Sequence, residues 1–541
     1  MHRPPQASFV RTLLVFLLAL TVQSLAALAQ GQPTPGRSGT ATGYVRDPAG
    51  GGVLSSARLA VEEPSQGKAA RPNFLILLTD DQRYDDLGSS GNTIIQTPHI
   101  DSLAQRGVLF RNAFVTSSIC MASRASYFTG RVERSHGCNF YYRRLAPEAW
   151  AQSYPVRLRA AGYRTGFIGK FGVVVEGQPG GLPASDFTVF HGYSGQGNYF
   201  PQGKGGPHLT RVDGDQAVQF LRQGAESAAP FCLAVSFFAP HDPMQPDPEL
   251  RDLYRDVTLP VPPTVRFDEL VGLPPAYGEA AWYPRYHRLI HQADLASRQR
   301  YILDRYRLIT GVDQAVGRIL AELRRLNLAE NTVIVFSSDN GFHYGEHGLS
   351  TKFYLHENSV RVPLIVVDPR AASARAGAAD DRLAANIDVA PTILDLAGVP
   401  VPALMQGRSL VPLLRGEDVP WRDAVFLENL AKERRPMCDG LRTSEWKYIV
   451  HFEHQPVQEE LYRLTTDPDE LTNLAGQPDY EPVRTELNAR LQALRLQYSG
   501  VASGFPDWIF SQRENTTNWH GYRAEYLKLK PLPPVTAPAA K

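Results

Sequence analysis

The sequence predicts an α/β protein: a large doubly wound, mostly parallel sheet flanked by helices, with a smaller C-terminal α+β subdomain containing an antiparallel sheet. Two features carry this prediction. Short, nearly unbroken apolar runs recur along the chain, as strands buried on both faces of a parallel sheet require. Segments with apolar residues at helical spacing separate those runs, the alternation that a doubly wound fold demands. The first run, Asn73 to Leu78, shows no polar alternation, and a helical segment follows from Ile100 to Arg106. Tyr154 to Ala161 reads as a helix and Thr165 to Ile168 as the next strand. Gly214 to Arg222 is a helix leading to a strand from Phe231 to Phe238, and the long helical stretch Ser297 to Leu326 leads to a strand from Thr332 to Ser337. Val362 to Val367 is the last such run. Past Gly416, the segments Arg442 to Val450 and Glu460 to Leu464 read as a hairpin, followed by a helix from Glu481 to about Tyr498.

The chain has 541 residues, 56 Lys and Arg against 55 Asp and Glu, and a net charge of +1. That balance lacks the positive field on which nucleic-acid binding depends, so no nucleic-acid partner is expected. A hydrophobic content of 43% excludes a wholly disordered chain, and four cysteines in this length exclude a disulfide-rich scaffold. At the N-terminus, Arg3 and Arg11 precede an apolar run from Leu13 to Val22 and the small-residue triplet Ala27-Leu28-Ala29. This is the pattern of a secretory signal peptide; the run is about half the roughly 20 residues of a membrane helix. The expected layout is a signal peptide over 1–29, cleaved near Ala29, and a linker or N-terminal extension over 30–70. The main α/β domain follows over 71–415, then a C-terminal subdomain and tail over 416–541. The expected location is periplasmic or secreted, with no stable membrane anchor.

Ligands of doubly wound sheets gather beyond the carboxyl ends of the strands. There the sequence places Thr79-Asp80-Asp81-Gln82 after the first strand and Ser338-Asp339-Asn340-Gly341 after a later one. Three carboxylates and an amide oxygen are hard ligands suited to Ca²⁺, with Mg²⁺ as the alternative. Either cluster alone reads equally well as turn or cap chemistry; their joint placement at strand ends favours a metal. The lack of a CxxC pair or an HExxH helix argues against zinc.

A third element is Cys120-Met121-Ala122-Ser123-Arg124, followed by Thr129-Gly130-Arg131. It resembles the signature of the sulfatases, and other landmarks of that family occur in family order. These are Gly169-Lys170, Ala239-Pro240-His241-Asp242-Pro243, Gly345-Glu346-His347-Gly348, Lys352 and Arg361-Val362-Pro363-Leu364. The resemblance implies an alkaline-phosphatase-like fold and a sulfatase resembling glycan sulfatases, in which Cys120 is oxidised to formylglycine by a formylglycine-generating enzyme. The hydrated aldehyde offers two hydroxyls, one to attack sulfur and one whose deprotonation releases sulfate. By the same resemblance, Asp80, Asp81, Asp339, Asn340 and the modified Cys120 would hold the metal, and Arg124 would support the nucleophile. Lys170 and Lys352 would bind sulfate oxygens, and His241 would contact sulfate and protonate the departing oxygen. Asp339 could also serve as the base in sulfate release. His343 and His347 are candidate substrate contacts, with loop capping as the alternative.

In isolation, Lys170 and Lys352 read as surface lysines and Cys120 as a small buried hydrophobe; the neighbouring motifs reverse those readings. One departure stands out: many family members carry a histidine two residues after the equivalent of Lys170, where this chain has Gly172. The insertion from Pro246 to about Ala296, with Tyr283, Arg285, Tyr286, His287 and His291, could contact a sugar or be an ordinary packed loop. With Cys120 modified, Cys232 falls inside a predicted buried strand, leaving Cys138 and Cys438 as the one pair to test for a disulfide. The expected substrate is a sulfated glycan or a small sulfate ester. A formylglycine-dependent phosphonate or phosphodiester hydrolase and a noncatalytic glycan-binding relative are the alternatives.

Overall fold

The computed structural model describes residues 71–140, 143–262, 264–265, 273–277, 295–371, 375–431, 437–452, 454, 456–501, 506 and 509. The signal segment, the extension over 30–70, Tyr283, Arg285, Tyr286, His287, His291 and the C-terminal tail lie outside the described residues. The described residues form one compact unit.

The main sheet has eight strands: β1 (Asn73–Thr79), β2 (Val108–Phe110), β3 (Arg164–Lys170), β4 (Val189–Tyr193), β5 (Phe231–Ser236), β6 (Thr332–Ser338), β7 (Leu364–Val367) and β8 (Ala378–Asp380). Their order is β8-β2-β7-β6-β1-β5-β3-β4. β1 pairs in parallel with β5 and β6, β3 pairs in parallel with β5 and β4, and β2 with β8. β7 alone runs antiparallel to its neighbours β6 and β2. The strand predicted over Phe231 to Phe238 ends at Ser236, because the next residues leave the sheet to carry His241. Short β2, β4 and β8 escaped sequence reading because three to five residues are too few to show a period.

Alternate residues of the central strands enter two cores. Phe74, Ile76 and Leu78 of β1 join Cys232 and Ala234 of β5 on one face, with Phe128 and Leu158 of helices α2 (Cys120–Thr129) and α3 (Tyr154–Ala160). Leu75 and Leu77 face the other way, in one cluster with Ile100 of α1 (Pro98–Arg106), Phe220 of α4 (Leu209–Gly224) and Leu308, Val312 and Ile319 of α5 (Leu295–Arg325). That two-sided burial explains the unbroken apolar runs.

Beyond it, β9 (Ala424–Asn429), β10 (Cys438–Thr443), β11 (Trp446–His451) and β12 (Gln458–Arg463) form an antiparallel sheet in sequential order, packed by helix α6 (Glu481–Ser499). This second sheet is joined to the segment before α2. The backbone N–H of Glu428 donates to the Thr116 carbonyl at 2.8 Å, and the Ser117 hydroxyl donates to the Glu428 carbonyl at 3.1 Å. Arg134 ties the two regions further, pairing with Glu428 at 2.8 Å and Asp439 at 2.5 Å, all fully buried. All four cysteines are buried free thiols, so the Cys138–Cys438 pair raised by the sequence is not formed. Among the described residues, no helix is long and apolar enough to cross a membrane.

Candidate active site

The carboxyl edge of the main sheet gathers side chains from six segments. Asp80 and Asp81 leave the end of β1, Lys170 ends β3, His241 lies past β5, and Asp339 and Asn340 leave β6. Cys120 is the first residue of α2, which ends against Gly130 in the left-handed conformation, φ 64°. Arg124 therefore sits one turn along on the same face. Lys352 follows the short hairpin formed by His343–Tyr344 and Ser350–Thr351.

Cys120 Sγ lies 2.6 Å from Lys352 Nζ and 3.6 Å from Asp80 Oδ1. Lys352 also pairs with Asp81, and Lys170 with Asp80. Arg124 donates from Nε to Asp339 Oδ2 at 2.7 Å and from Nη1 to the Lys170 carbonyl at 2.8 Å and to the Ser236 hydroxyl. His241 Nε2 is 3.7 Å from Asp81 Oδ2. Its Nδ1 is 2.6 Å from the Asp242 carbonyl, which can only accept, so Nδ1 carries the proton and the neutral ring turns a lone pair into the site. Phe238 stacks on the imidazole at 5.0 Å and fixes its plane.

Burial alone would raise the Asp80 carboxyl, but Lys170, His241, Arg124 and Lys352 overcome it and hold Asp80 well below the usual carboxylate range. Asp81 is likewise held low, against burial, chiefly by Lys352. Burial and the Asp80 charge push Asp339 up to about 6. Burial lowers His241 to about 4 despite Asp81 and Asp80. Burial pushes the Cys120 thiol up to about 12, outweighing the two lysines. An unmodified Cys120 is thus a protonated thiol at neutral pH, a poor nucleophile.

Ligand atoms of Asp80, Asp81, Cys120 and His241 all lie within 4.8 Å of one another. Asp81 Oδ2 and Asn340 Oδ1 are buried and accept no hydrogen bond from the described residues. Buried acceptor oxygens without donors among anionic groups suit a hard divalent cation, so the residues present fit one. Asp339, also expected as a ligand, has one oxygen accepting from Arg124 and the other accepting the Asp81 backbone N–H at 3.1 Å, each with a second lone pair left over, and His241 joins the group.

His343 and His347 are not placed as substrate contacts. Both are fully buried in a cluster with His356, at ring separations of 6.3, 5.8 and 4.9 Å, alongside Tyr354. Burial, and then His356, lower both imidazoles, His347 to about 3. The hairpin turns these rings into the protein while its continuation delivers Lys352.

Sequence reading missed Arg305. From α5 it donates to the Asp81 carbonyl and, at 3.1 Å, to the Pro240 carbonyl, pinning the loops that carry the acidic pair and His241. The signal was present: Arg305 lies on the buried stripe Ile302, Ile309, Val312, where a charge needs a partner. Gly172, the departure from the family pattern, has φ +72°, and a Cβ there would meet Arg124 Cδ at 2.4 Å. Arg124 itself fills the space a side chain at that position would use.

This sheet, with its charged strand-end site, places the protein among the alkaline-phosphatase-like hydrolases of anionic esters. The sulfatase family model matches residues 72–399, and the chain belongs to that family: it is a sulfuric ester hydrolase. A second model, the C-terminal region of N-sulphoglucosamine sulphohydrolase, matches residues 345–497. The chain is 28% identical over 502 residues to an N-acetylglucosamine-6-O-sulfatase of Bacteroides thetaiotaomicron, covering 80% of this chain and 88% of that one. A solved structure of a protein in complex with its substrate D-glucosamine-2-N,6-O-disulfate superposes with a TM-score of 0.70 at 26% identity, covering 80% of this chain and 99% of that one. The phosphonate monoester hydrolase of Agrobacterium radiobacter shares the fold, with a TM-score of 0.64 at 24% identity over 79% of this chain and 96% of that one.

Proposed function

We propose that this sulfatase is exported, with its leader cleaved near Ala29, and removes sulfate from a sulfated carbohydrate. Formylglycine made from Cys120 and a bound Ca²⁺ would supply the nucleophilic oxygen and the Lewis acid. A formylglycine-generating enzyme is the maturation partner this requires. The observation that carries the reading is the setting of Cys120: fully buried, protonated as a thiol, yet facing Asp80 and Lys352. Conversion to formylglycine would put a nucleophilic diol where this poorly reactive thiol stands. The named activity of the 28%-identical relative and the disulfated glucosamine held by the 26%-identical structure support a sugar sulfate as substrate.

Asp80, Asp81, Asp339, Asn340 and residue 120 are the groups that would hold the cation, with His241 at their edge. Lys170 and Lys352 bring positive charge to sulfate oxygens and lower the electrostatic barrier to attack on an anion. Arg124 keeps Asp339 oriented through its 2.7 Å bond. His241 is neutral in the free site, and the charge of an arriving sulfate favours its protonation at Nε2, from which it can donate to the departing sugar oxygen.

The test is a screen of sulfated oligosaccharides for free sulfate, using protein matured with a formylglycine-generating enzyme and an aryl phosphodiester as comparison. Sulfate release that vanishes in Cys120→Ala, with melting temperature retained, is the expected result. Retained turnover in that variant, or faster phosphodiester than sulfate ester cleavage, overturns the reading.

A further inference from the structure

Lys170 makes a contact that the sulfatase chemistry described above does not use. Its ammonium, besides pairing with Asp80, donates to Gln196 Oε1 at 2.8 Å. An ammonium has only donors, so the amide must turn its oxygen toward Lys170 and its NH₂ away. That NH₂ donates to no other described residue, and Gln196 is solvent-exposed although the lysine it touches is fully buried. The amide therefore stands at the boundary between the buried cation and the outside.

The local sequence Ser194-Gly195-Gln196-Gly197-Asn198 fixes this placement. Gly195 has φ +74°, open to glycine at little cost. At Gly197 a Cβ would meet Phe238 Cγ at 2.6 Å and Tyr193 Oη at 2.8 Å, so the loop lies directly on Phe238 only because no side chain intervenes. Phe238 in turn stacks on His241 and lies with its ring centre 5.6 Å from Lys170 Nζ. Tyr193 is the register partner of Lys170 across β3 and β4. The loop is thus seated on Phe238, the ring that lies against both the lysine assigned to the sulfate and the histidine assigned to the departing oxygen.

We propose that Gln196 is a further anion-contacting residue of the site: its carbonyl oxygen holds the Lys170 ammonium while its NH₂ donates to the sulfate group entering beside that lysine. This rests on the reading that the site takes a sulfate, and it adds a neutral donor to the cations already assigned. A neutral amide suits that position, since one group can accept from the lysine and donate to the anion, which a further cation could not do.

The two halves of the amide can be separated. Gln196→Glu keeps an acceptor for Lys170 but sets a negative charge where the NH₂ stood; Gln196→Ala removes both. The experiment is calorimetric titration of the full-length protein with inorganic sulfate, which requires no turnover, with thermal melting of each variant as the check on folding. The expected order of affinity is wild type, then Gln196→Ala weaker by about tenfold, the scale of one charge-assisted hydrogen bond, then Gln196→Glu weaker still. Where sugar sulfate turnover is measured, KM rises in the same order with kcat little changed, the pattern of lost uniform binding. Gln196→Glu binding sulfate as tightly as wild type shows that the residue only steadies Lys170 and overturns the proposal, as does an unchanged Gln196→Ala. Failure of the sulfatase reading shows separately, as matured wild type that releases no sulfate from any sugar.

Discussion

Replacing Gly172 with alanine is expected to damage the site through Arg124 without touching any group that contacts substrate. The backbone at Gly172 has φ +72°, where an L side chain costs about 1–2 kcal/mol. The new Cβ would lie 2.4 Å from Arg124 Cδ, so the guanidinium must retreat by about 1 Å to reach ordinary contact. Such a shift breaks or severely stretches its 2.7 Å bond to Asp339 and its contacts with Ser236 and the Lys170 carbonyl. Disrupting a buried ion pair by displacing one partner costs about 3–5 kcal/mol. The backbone and pairing costs together give about 4–7 kcal/mol if Arg124 is fully displaced, and about 1–2 kcal/mol if the helix yields around it. The assay is urea unfolding of matured protein alongside sulfate release from the best sugar sulfate. Stability should fall by at least about 1 kcal/mol, the lower end of that range, and turnover by at least about a hundredfold, the equivalent of about 2.7 kcal/mol in the barrier. Gly172→His should be worse than Gly172→Ala, although many sulfatases carry a histidine there. A Gly172→Ala protein with wild-type unfolding and turnover would show that Arg124 does not depend on the empty space at Gly172.

Three other perturbations test separate parts of the structure. His136 is buried and lowered to about 3, with its Nδ1 accepting the Cys138 N–H at 3.0 Å. Its neutral form is favoured by folding, so its contribution is complete above pH 6.5 and is lost as pH falls toward 3; wild type should lose stability relative to His136→Gln across that window in melting curves. Arg134→Met takes the guanidinium from the buried Glu428 carboxylate, while Asp439 keeps Arg495 at 2.6 Å, and should cost about 3–5 kcal/mol in urea unfolding. Chelation should abolish sulfate release and lower the melting temperature, and Ca²⁺ should restore both at lower concentration than Mg²⁺, read by thermal shift.

The parts of this protein legible in its sequence are those governed by local rules. The two-sided burial of β1, β5 and β6 writes itself as unbroken apolar runs, and the strand-end rule points to Asp80, Asp81, Asp339 and Asn340, whereas Lys170 needed the family resemblance. Orientation is what sequence could not supply. His343 and His347 lie within a few residues of Lys352 yet point into a separate buried cluster, because the hairpin between them reverses the chain. Asp339 adjoins Asn340, but its orientation is set by Arg124 and the Asp81 N–H, partners far away in sequence. Arg305 could have been found, as a charge on an apolar helical stripe; Gln196 could not, since nothing in an exposed Gly-Gln-Gly loop says which buried lysine it will meet.

The bonds between Glu428 and the segment just before the nucleophile helix also set a schedule. Ser117 and Glu428 are 311 residues apart in the chain. A ribosome adding about 5–20 residues per second needs roughly 15–60 seconds to cover that distance. Throughout that interval the strand that clamps the Cys120 segment does not yet exist, while in the finished protein the thiol is 1% exposed. Any enzyme that oxidises Cys120 therefore works against a clock, and a slower ribosome over the intervening codons would lengthen its opportunity without altering a single residue of the product.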